Sequence, residues 1–412
     1  MSDERIIVGI DIGTTKITTV IGEVPSDGVL DIIGEGTVPS DGLRKGVVVN
    51  LEKTVASVRE SIAAAERVAG VEVTHAWLGV GGTHLQALTS HGMAAIRRGQ
   101  EVTRADLERT IENARAVPME AHMDLLHVIP QEYVVDGNEG IKDPIGMSGV
   151  RLEVDVHVIA GSHGPLSNLR RCAEDAGVEV EGLVVQSLAS GLAVLGDAER
   201  DLTTLLLDMG GGTTDVGVFR RGVLAHSAVL PLGGDHVTQD ISQLLRIPPD
   251  EAERVKRLHG VAQPDLAERD VVLEVSNPGY TASISTFELA QVIKPRVMEI
   301  LDLAKKNVEQ QLGALELNAG NVVITGGASL MPGVEQLAAE RFRLPVRSAA
   351  PHGVSGLNDV VSEPTHATAV GLVRYGMLHG EAAPAPRSRV RVGSGEAPAA
   401  IRRIRSLLKD FF

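Results

Sequence analysis

Apolar positions along this chain come in two kinds of run, one short and continuous, the other spaced by three and four residues. Residues 6–12 form an apolar run interrupted only by Asp11, and after a polar turn residues 17–21 form a second run rich in β-branched side chains. Together they predict a hairpin whose turn is exposed at a sheet edge. Residues 51–69 change period: Val55, Val58, Ile62 and Ala65 share one face and predict a helix. A strand is expected at about residues 76–80.

From about Thr83 to Ser162 the pattern shifts. Thr103 and Asp106 have the spacing of a capping box, which opens a helix running to Ala116. Long strands follow at residues 125–135 and 150–160, so this block reads as a small α+β insertion. Beyond it, a strand at 180–185 leads into a small-residue helix at 187–195, and a second hairpin occupies 203–219. Polar helices are expected at 236–245 and 250–259. A long helix begins near Thr286, which Pro295 is expected to kink or restart. A strand at 321–325 runs straight into Gly326 and Gly327. After His379 the chain turns to Ala, Pro, Gly, Ser and Arg, a composition that builds no core and reads as a linker. The repeated strand-turn-strand plan predicts two related halves, each a sheet flanked by helices.

Length and composition narrow the function classes. At 412 residues two or more domains are expected. A net charge of -15 with 2% aromatic residues argues against nucleic acid as a partner, since neither phosphate neutralisation nor base stacking is provided for. The acidic start MSDERIIVGID does not resemble a signal peptide, and no run reaches the roughly 20 apolar residues of a membrane span. Cys172 is the only cysteine, which excludes an internal disulfide and a Cys-based zinc cage; it reads as a buried residue of the helix after Gly164.

The chemistry lies in the turns. DIGTTK (11–16) and DMGGGTTD (208–215) each end a predicted strand and carry an aspartate at the same place relative to the glycines. Glycines let backbone N–H groups approach phosphate oxygens without a Cβ in the way. Gly13, Thr14 and Thr15 would supply donors and Lys16 a charge; Gly210, Gly211, Gly212, Thr213 and Thr214 would do the same from the opposite side. Asp11 and Asp208 suit Mg²⁺ held through water. Gly326 and Gly327, with Ala328, would back an adenosine. One such turn by itself is ordinarily a hairpin with an Asx turn; two matching turns and a strand-Gly-Gly turn point to ATP. Neither fits the GxxxxGK[ST] loop, so a P-loop is not expected.

These residues resemble the actin-like ATPase superfamily, with its paired phosphate hairpins and late adenosine loop. The resemblance implies that Gly233, Gly234, Glu253 and Lys256 also contact the nucleotide; by spacing alone the Glu/Lys pair is a solvated helix face. It also implies that Gln186, before the small-residue helix, acts with Asp11 and Asp208 in catalysis by positioning the attacking water; otherwise it is a polar residue at a strand end. Hydrolysis would be slow, with binding and assembly the useful output.

Two segments, LHVIPQEYVVDGNEGIKDPIGMSGVRLEVDVHVI and GTVPSDGLRKGVVVNLEKT, closely resemble the FtsA family of bacterial cell-division proteins. The fold this implies is α/β: an actin-like two-lobed ATPase of duplicated mixed sheets, an inserted α+β subdomain and a C-terminal amphipathic helix. The expected division is residues 1–82 with 163–196 as the first lobe (1A), 83–162 as inserted subdomain 1C, 197–231 with 301–378 as the second lobe (2A), and 232–300 as 2B. A linker at 379–400 and a membrane helix at 401–412 follow. In the tail, Ile401, Ile404, Leu407, Leu408, Phe411 and Phe412 fall on one side of a helix, and Arg402, Arg403, Arg405 and Lys409 on the other. At about 18 Å it is too short to cross a bilayer and suits an anionic membrane surface, unless it docks on the protein's own core. The family implies self-association into polymers, FtsZ's C-terminal peptide as partner at 232–300, later division proteins at 1C, and a peripheral place at the cytoplasmic face of the membrane. Rival readings are a small-molecule kinase, a pilus or secretion adaptor and, least fitting, a chaperone.

Overall fold

The computed structural model describes residues 5–24, 28–97, 100–268, 271–277, 280–313 and 320–380. The chain opens with strands Arg5–Ile12 (β1), Lys16–Val24 (β2) and Asp31–Pro39 (β3), paired antiparallel in order. A small hairpin, Leu43–Arg44 (β4) and Val47–Val48 (β5), leads to helix Leu51–Ala69 (α1). The Asn50 side chain caps α1 by accepting the Lys53 N–H, and Gly70 ends it at φ 73°. Val58, Ile62 and Ala65 are buried, Val55 half-buried, and Thr54 and Ser61 complete the inner face.

Strands His75–Val80 (β6) and Leu85–Ala95 (β7), helix Arg104–Arg115 (α2), then Met123–Val135 (β8), Asn138–Ile141 (β9) and Arg151–Ser162 (β10) carry the chain through the insertion. Thr103 and Asp106 form the expected capping box on α2. The chain returns by helix His163–Asp175 (α3), where Cys172 is fully buried, its thiol pKa pushed up to about 11 chiefly by that burial. Strand Glu179–Val185 (β11) and helices Gln186–Val194 (α4) and Asp197–Asp201 (α5) follow.

The second half repeats the plan with Thr204–Met209 (β12), Thr214–Arg220 (β13) and Val223–Leu230 (β14), again antiparallel in order. Helices Gly234–Leu245 (α6) and Pro249–His259 (α7), the hairpin Val272–Asn277 (β15) with Tyr280–Ser285 (β16), and helix Thr286–Leu312 (α8) come next. The expected restart at Pro295 does not occur. Pro295 lies on the exposed side of a continuous helix, where water can take the Gln291 carbonyl that loses its donor. The remaining elements are Asn321–Thr325 (β17), Val334–Phe342 (α9), Val346–Ser348 (β18), Ser355–Gly356 (β19), Asn358–Val361 (α10) and Ala367–His379 (α11).

The two large sheets share one topology. In the first, the order is β11-β6-β1-β2-β3-β19, with β6 and β11 parallel to β1. In the second it is β18-β17-β12-β13-β14, with β17 and β18 parallel to β12. Each contains an antiparallel three-strand meander extended by two parallel strands on its first member, and the first sheet adds β19 alongside β3. This places the first hairpin away from the expected sheet edge: β1 and β2 are interior strands, and their turn emerges half-buried from the end of the sheet. Its flanking strands are apolar on both faces because both faces are covered.

Between the sheets lies a core of Ile7, Val20, Leu206, Phe219, Ala369 and Val373. Helices α4 and α11 cross there in backbone contact, since a Cβ at Gly371 would lie 1.8 Å from the Ala189 carbonyl oxygen. The insertion is a separate antiparallel sheet, β7-β10-β8-β9, with its own core of Leu152, Val154, Val156 and Val158 under Ala114 of α2. The period-two burial along residues 151–156 of β10 is what a sheet covered on one face requires, and from Val156 to Gly161 the strand is buried throughout.

Candidate functional site

The two hairpin turns are built alike. Gly13 N–H donates to the Lys16 carbonyl at 3.0 Å, and Gly210 N–H donates to the Thr213 carbonyl at 3.0 Å, each closing a turn directly after its strand. The turns meet tip to tip. A Cβ at Gly211 would come within 1.9 Å of Thr15 Oγ1, and one at Gly212 within 2.7 Å of Thr14 Oγ1. Bare backbone is therefore required where the halves touch. Helix α6 starts on the second turn, with Gly234 N–H on the Gly210 carbonyl and Asp235 N–H on the Gly211 carbonyl, both at 2.9 Å.

A cavity of about 790 Å³ lies between the halves. Its lining brings together Asp11, Gly13, Thr14, Thr15, Lys16, Gln186, Asp208, Gly210, Gly211, Gly212, Thr213, Gly234, Glu253, Lys256, Gly326, Gly327 and Ala328. Two sequence-predicted residues stand elsewhere. Thr214 is fully buried and its hydroxyl donates to the Leu232 carbonyl at 2.8 Å, because alternation along β13 turns it from the cleft and turns Asp215 toward it. Gly233 does not line the cavity; a Cβ there would lie 2.5 Å from the carbonyl oxygens of both Gly210 and Gly211, so it allows α6 to sit on the turn.

Carboxylates dominate the cavity floor. Asp208 Oδ2 accepts from Thr368 Oγ1 at 3.0 Å, and burial, then the Asp11 charge, pushes its pKa up to about 6. Asp11 accepts a 2.8 Å bond from Gln186 Nε2, and burial raises its pKa against the opposing pull of Gln186, Lys16 and His366. Asp215 is raised furthest, by burial and by the charges of Asp208 and Asp11, and its Oδ1 has no hydrogen-bond partner. Lys16 is shifted the other way, its burial outweighing the stabilising carboxylates around it. Three buried carboxylates against one lysine make a site that favours added positive charge. Among the described residues no group of three or more His, Cys, Asp or Glu side chains is arranged to hold a metal ion directly. The buried carboxylates of this floor fit a cation that keeps its water, as Mg²⁺ does beside phosphates.

Farther along the lining, Lys256 Nζ contacts Glu253 Oε2 at 2.6 Å and donates to the Gly234 carbonyl at 3.0 Å and Thr238 Oγ1 at 2.8 Å. Burial works against the Glu253 charge, but Lys256 and Thr238 overcome it and hold its pKa low. The pair is locked into the cavity wall rather than left on a solvated helix face. Gly326, at φ 83°, passes behind Asp208, where a Cβ would lie 2.4 Å from Oδ1. The sequence reading missed Asp215, Thr368, Asp235, Gly46 and Gly81 in this lining. Asp215 had a usable signal, the acidic residue closing the second glycine motif; Thr368 had none.

Comparison with known proteins places this architecture. The model described as cell division protein FtsA matches residues 205–371, and that of the SHS2 domain inserted in FtsA matches residues 82–160. A cell division protein FtsA of Pseudomonas aeruginosa is 42% identical over 375 residues, covering 90% of this chain and 89% of its own length. The chain belongs to the FtsA family of cell-division proteins. The FtsA of Escherichia coli K12 aligns over 100% of this chain and 99% of its own length at 37% identity. That span includes residues 381–412, so the sequence-predicted linker, beyond its first two residues, and the amphipathic tail lie outside the described structure but within the family alignment. Among solved structures, the PilM-PilN type IV pilus biogenesis complex superposes with TM-score 0.66 at 17% identity, covering 90% of this chain and 98% of that one. MreB5 of Spiroplasma citri bound to ADP superposes with TM-score 0.53 at 16% identity, covering 89% and 94%. These likenesses establish the actin-like ATPase fold. Among the described residues no helix is long and apolar enough to cross a membrane.

Proposed function

We propose that this FtsA-family protein binds ATP with Mg²⁺ in the cleft, polymerises at the cytoplasmic face of the membrane, and anchors the FtsZ ring there. The observation that carries the reading is the pair of equivalent glycine turns meeting over one cavity, with carboxylates from both halves on its floor. In this reading Gly13 to Thr15 and Gly210 to Thr213 offer donors to the phosphates, and Lys16 adds charge. Gly234, Glu253, Lys256 and Gly326 to Ala328 take the adenosine. Asp11 and Asp208 hold Mg²⁺ through water, and the ion neutralises phosphate charge when bound. The MreB5 relative bound to ADP shares the fold, which supports a nucleotide as ligand.

The rest of the reading follows the family and the tail sequence. Subdomain 2B, at residues 232–300, receives FtsZ's C-terminal peptide, and subdomain 1C, at 83–162, receives later division proteins. Residues 401–412 lie in the headgroup plane of an anionic membrane, tethered by 379–400. One tail has modest affinity, and a polymer multiplies it through effective concentration.

Three measurements test the proposal. On an anionic lipid monolayer with ATP and Mg²⁺ the protein should form filaments, and an immobilised FtsZ tail peptide should retain it. Asp208→Ala should weaken Mg²⁺-dependent ATP binding by about tenfold or more. Equal affinity in this variant rejects the cleft, and failure to bind the peptide rejects the tether.

A further inference from the structure

Residues 387–392 read Arg-Ser-Arg-Val-Arg-Val, a pattern that a plain tether does not need. Arg387, Arg389 and Arg391 alternate with Ser388, Val390 and Val392, which is the period of a strand with one basic and one mostly apolar face. A strand by itself leaves its backbone unpaired, so this pattern calls for a sheet edge to join.

The insertion supplies an open one. β7 is an end strand of its sheet and pairs with β10 on one side. Ile96 N–H continues that ladder by donating to the Val150 carbonyl at 2.9 Å, so even-numbered residues of β7 bond inward and odd-numbered ones turn N–H and C=O outward. Side chains of α2 close one end of the outer edge: Asn113 Nδ2 donates to the Met93 carbonyl and an Arg109 nitrogen to the Ala95 carbonyl, both at 2.8 Å. At Ala87, Thr89 and His91, all exposed, no described group takes the outward N–H or carbonyl. Edge strand β11 of the first lobe differs, since Arg170 takes the Val180 carbonyl and His127 the Val185 N–H.

Both faces beside this edge complement the segment. Register sets His91 opposite Asp155 and Met93 opposite Glu153, so the odd-numbered face carries two carboxylates, with the ring of His91 2.9 Å from Asp155 and 3.2 Å from Glu153. On the even-numbered face α2 covers Gly92, where a Cβ would meet the Thr110 carbonyl oxygen at 2.3 Å, and leaves Leu88 39% exposed. Reach also suffices. His379, at the end of α11, stacks on Tyr375 at 4.1 Å, and Tyr375 lies 6.0 Å from His127 of β8. Ala87 is two strands from His127 through Ile159, about 10 Å. Residues 381–386 span up to about 20 Å when extended.

We propose that residues 387–392 dock as an added strand on the β7 edge of their own molecule, with Arg389 and Arg391 over Asp155 and Glu153 and with Val390 and Val392 against Leu88. A partner that adds a strand at residues 87–91 then has to displace the linker first. Hydrogen exchange of the full-length protein, resolved by fragment mass spectrometry, tests the seat. Val390→Pro with Arg391→Pro removes a ladder donor whichever parity faces the edge, and Arg389→Glu with Arg391→Glu reverses the charge. Amides of Ala87, Thr89 and His91 should exchange about tenfold faster in the double-proline variant than in wild type, and at least about threefold faster in the charge-reversed one. Amides of Leu152, Val154 and Val156 in β10 should hold their rates, which shows that the insertion stays folded. Equal exchange at residues 87–91 in wild type and either variant overturns the proposal. Protection that fades on dilution makes a second copy the occupant and overturns the seat within one molecule. Weaker binding of the charge-reversed variant to anionic vesicles, with exchange at 87–91 unchanged, gives the arginines to the membrane and overturns it too.

Discussion

Gln186 Nε2 donates a hydrogen bond to Asp11 Oδ1 over 2.8 Å, joining residues 175 positions apart. The bond holds the carboxamide at the start of α4 against the end of β1, with its Oε1 beside Gly81. In the proposed nucleotide reading of the cleft, this carboxamide would orient a water without taking its proton. Gln186→Ala should therefore lower ATP hydrolysis by about tenfold or more and change ATP affinity by less than about threefold. Phosphate release and nucleotide titration on the same preparation separate the two, and an unchanged hydrolysis rate removes Gln186 from the mechanism.

Stability should fall on acidification through two buried histidines. His127 Nε2 accepts the Val185 N–H at 3.2 Å, and His157 Nε2 shares a bond with Ser227 Oγ at 2.9 Å. Burial, with the charge of His379, lowers the His127 pKa to about 4; burial, with His226 and His127, lowers that of His157 to about 3. Unfolded, both return to about 6.5. Below that pH the unfolded chain binds protons that the folded chain refuses, so their contribution is complete above about 6.5 and drains as pH falls toward the folded values. By about pH 5 each accounts for about 2 kcal/mol. Urea unfolding across this range should show the loss, and His157→Gln should flatten the slope; an identical slope contradicts the assignment.

Gly371 lets α11 cross α4 at backbone distance, where a Cβ would stand 1.8 Å from the Ala189 carbonyl oxygen. Because that obstacle is main chain, Gly371→Ala has to push the helices apart and should cost about 1–3 kcal/mol. Gly164→Ala in α3 serves as the control, since a Cβ there meets nothing within 4 Å. It should be neutral or stabilising by about 0.5 kcal/mol. Equal melting temperatures for the two variants would show that the crossing is looser than described.

Phe411 and Phe412 close the apolar side of the tail sequence. Replacing both with Glu removes buried apolar area and adds charge that an anionic leaflet repels. Co-sedimentation with anionic vesicles should drop to the level of neutral vesicles. Retained sedimentation means that the membrane is held by some other surface.

Local signals were legible where neighbours in sequence are also neighbours in space. The span of α1, the capping box of Thr103 and Asp106 and both glycine turns depend on residues within a few positions of one another. Where a side chain's direction depended on a distant partner, the reading failed. Thr214 and Asp215 are adjacent in one motif, and only the packing of β13 between β12 and β14 decides which of them faces the cleft. Thr368 reaches Asp208 from 160 positions away, with no local pattern to mark it. Pro295 carries a breaking signal that the solvent side of α8 neutralises.

By itself, the order of residues determined two equivalent strand-turn-strand units and the glycines at their bends, because periodicity and turn chemistry act over a few bonds; the family showed in the resemblance of two segments. Tertiary structure alone decided that the bends touch and that three carboxylates share one floor. Those relations come from the packing of two sheets across α4 and α11, and the energy of a buried charge depends on what surrounds it in space.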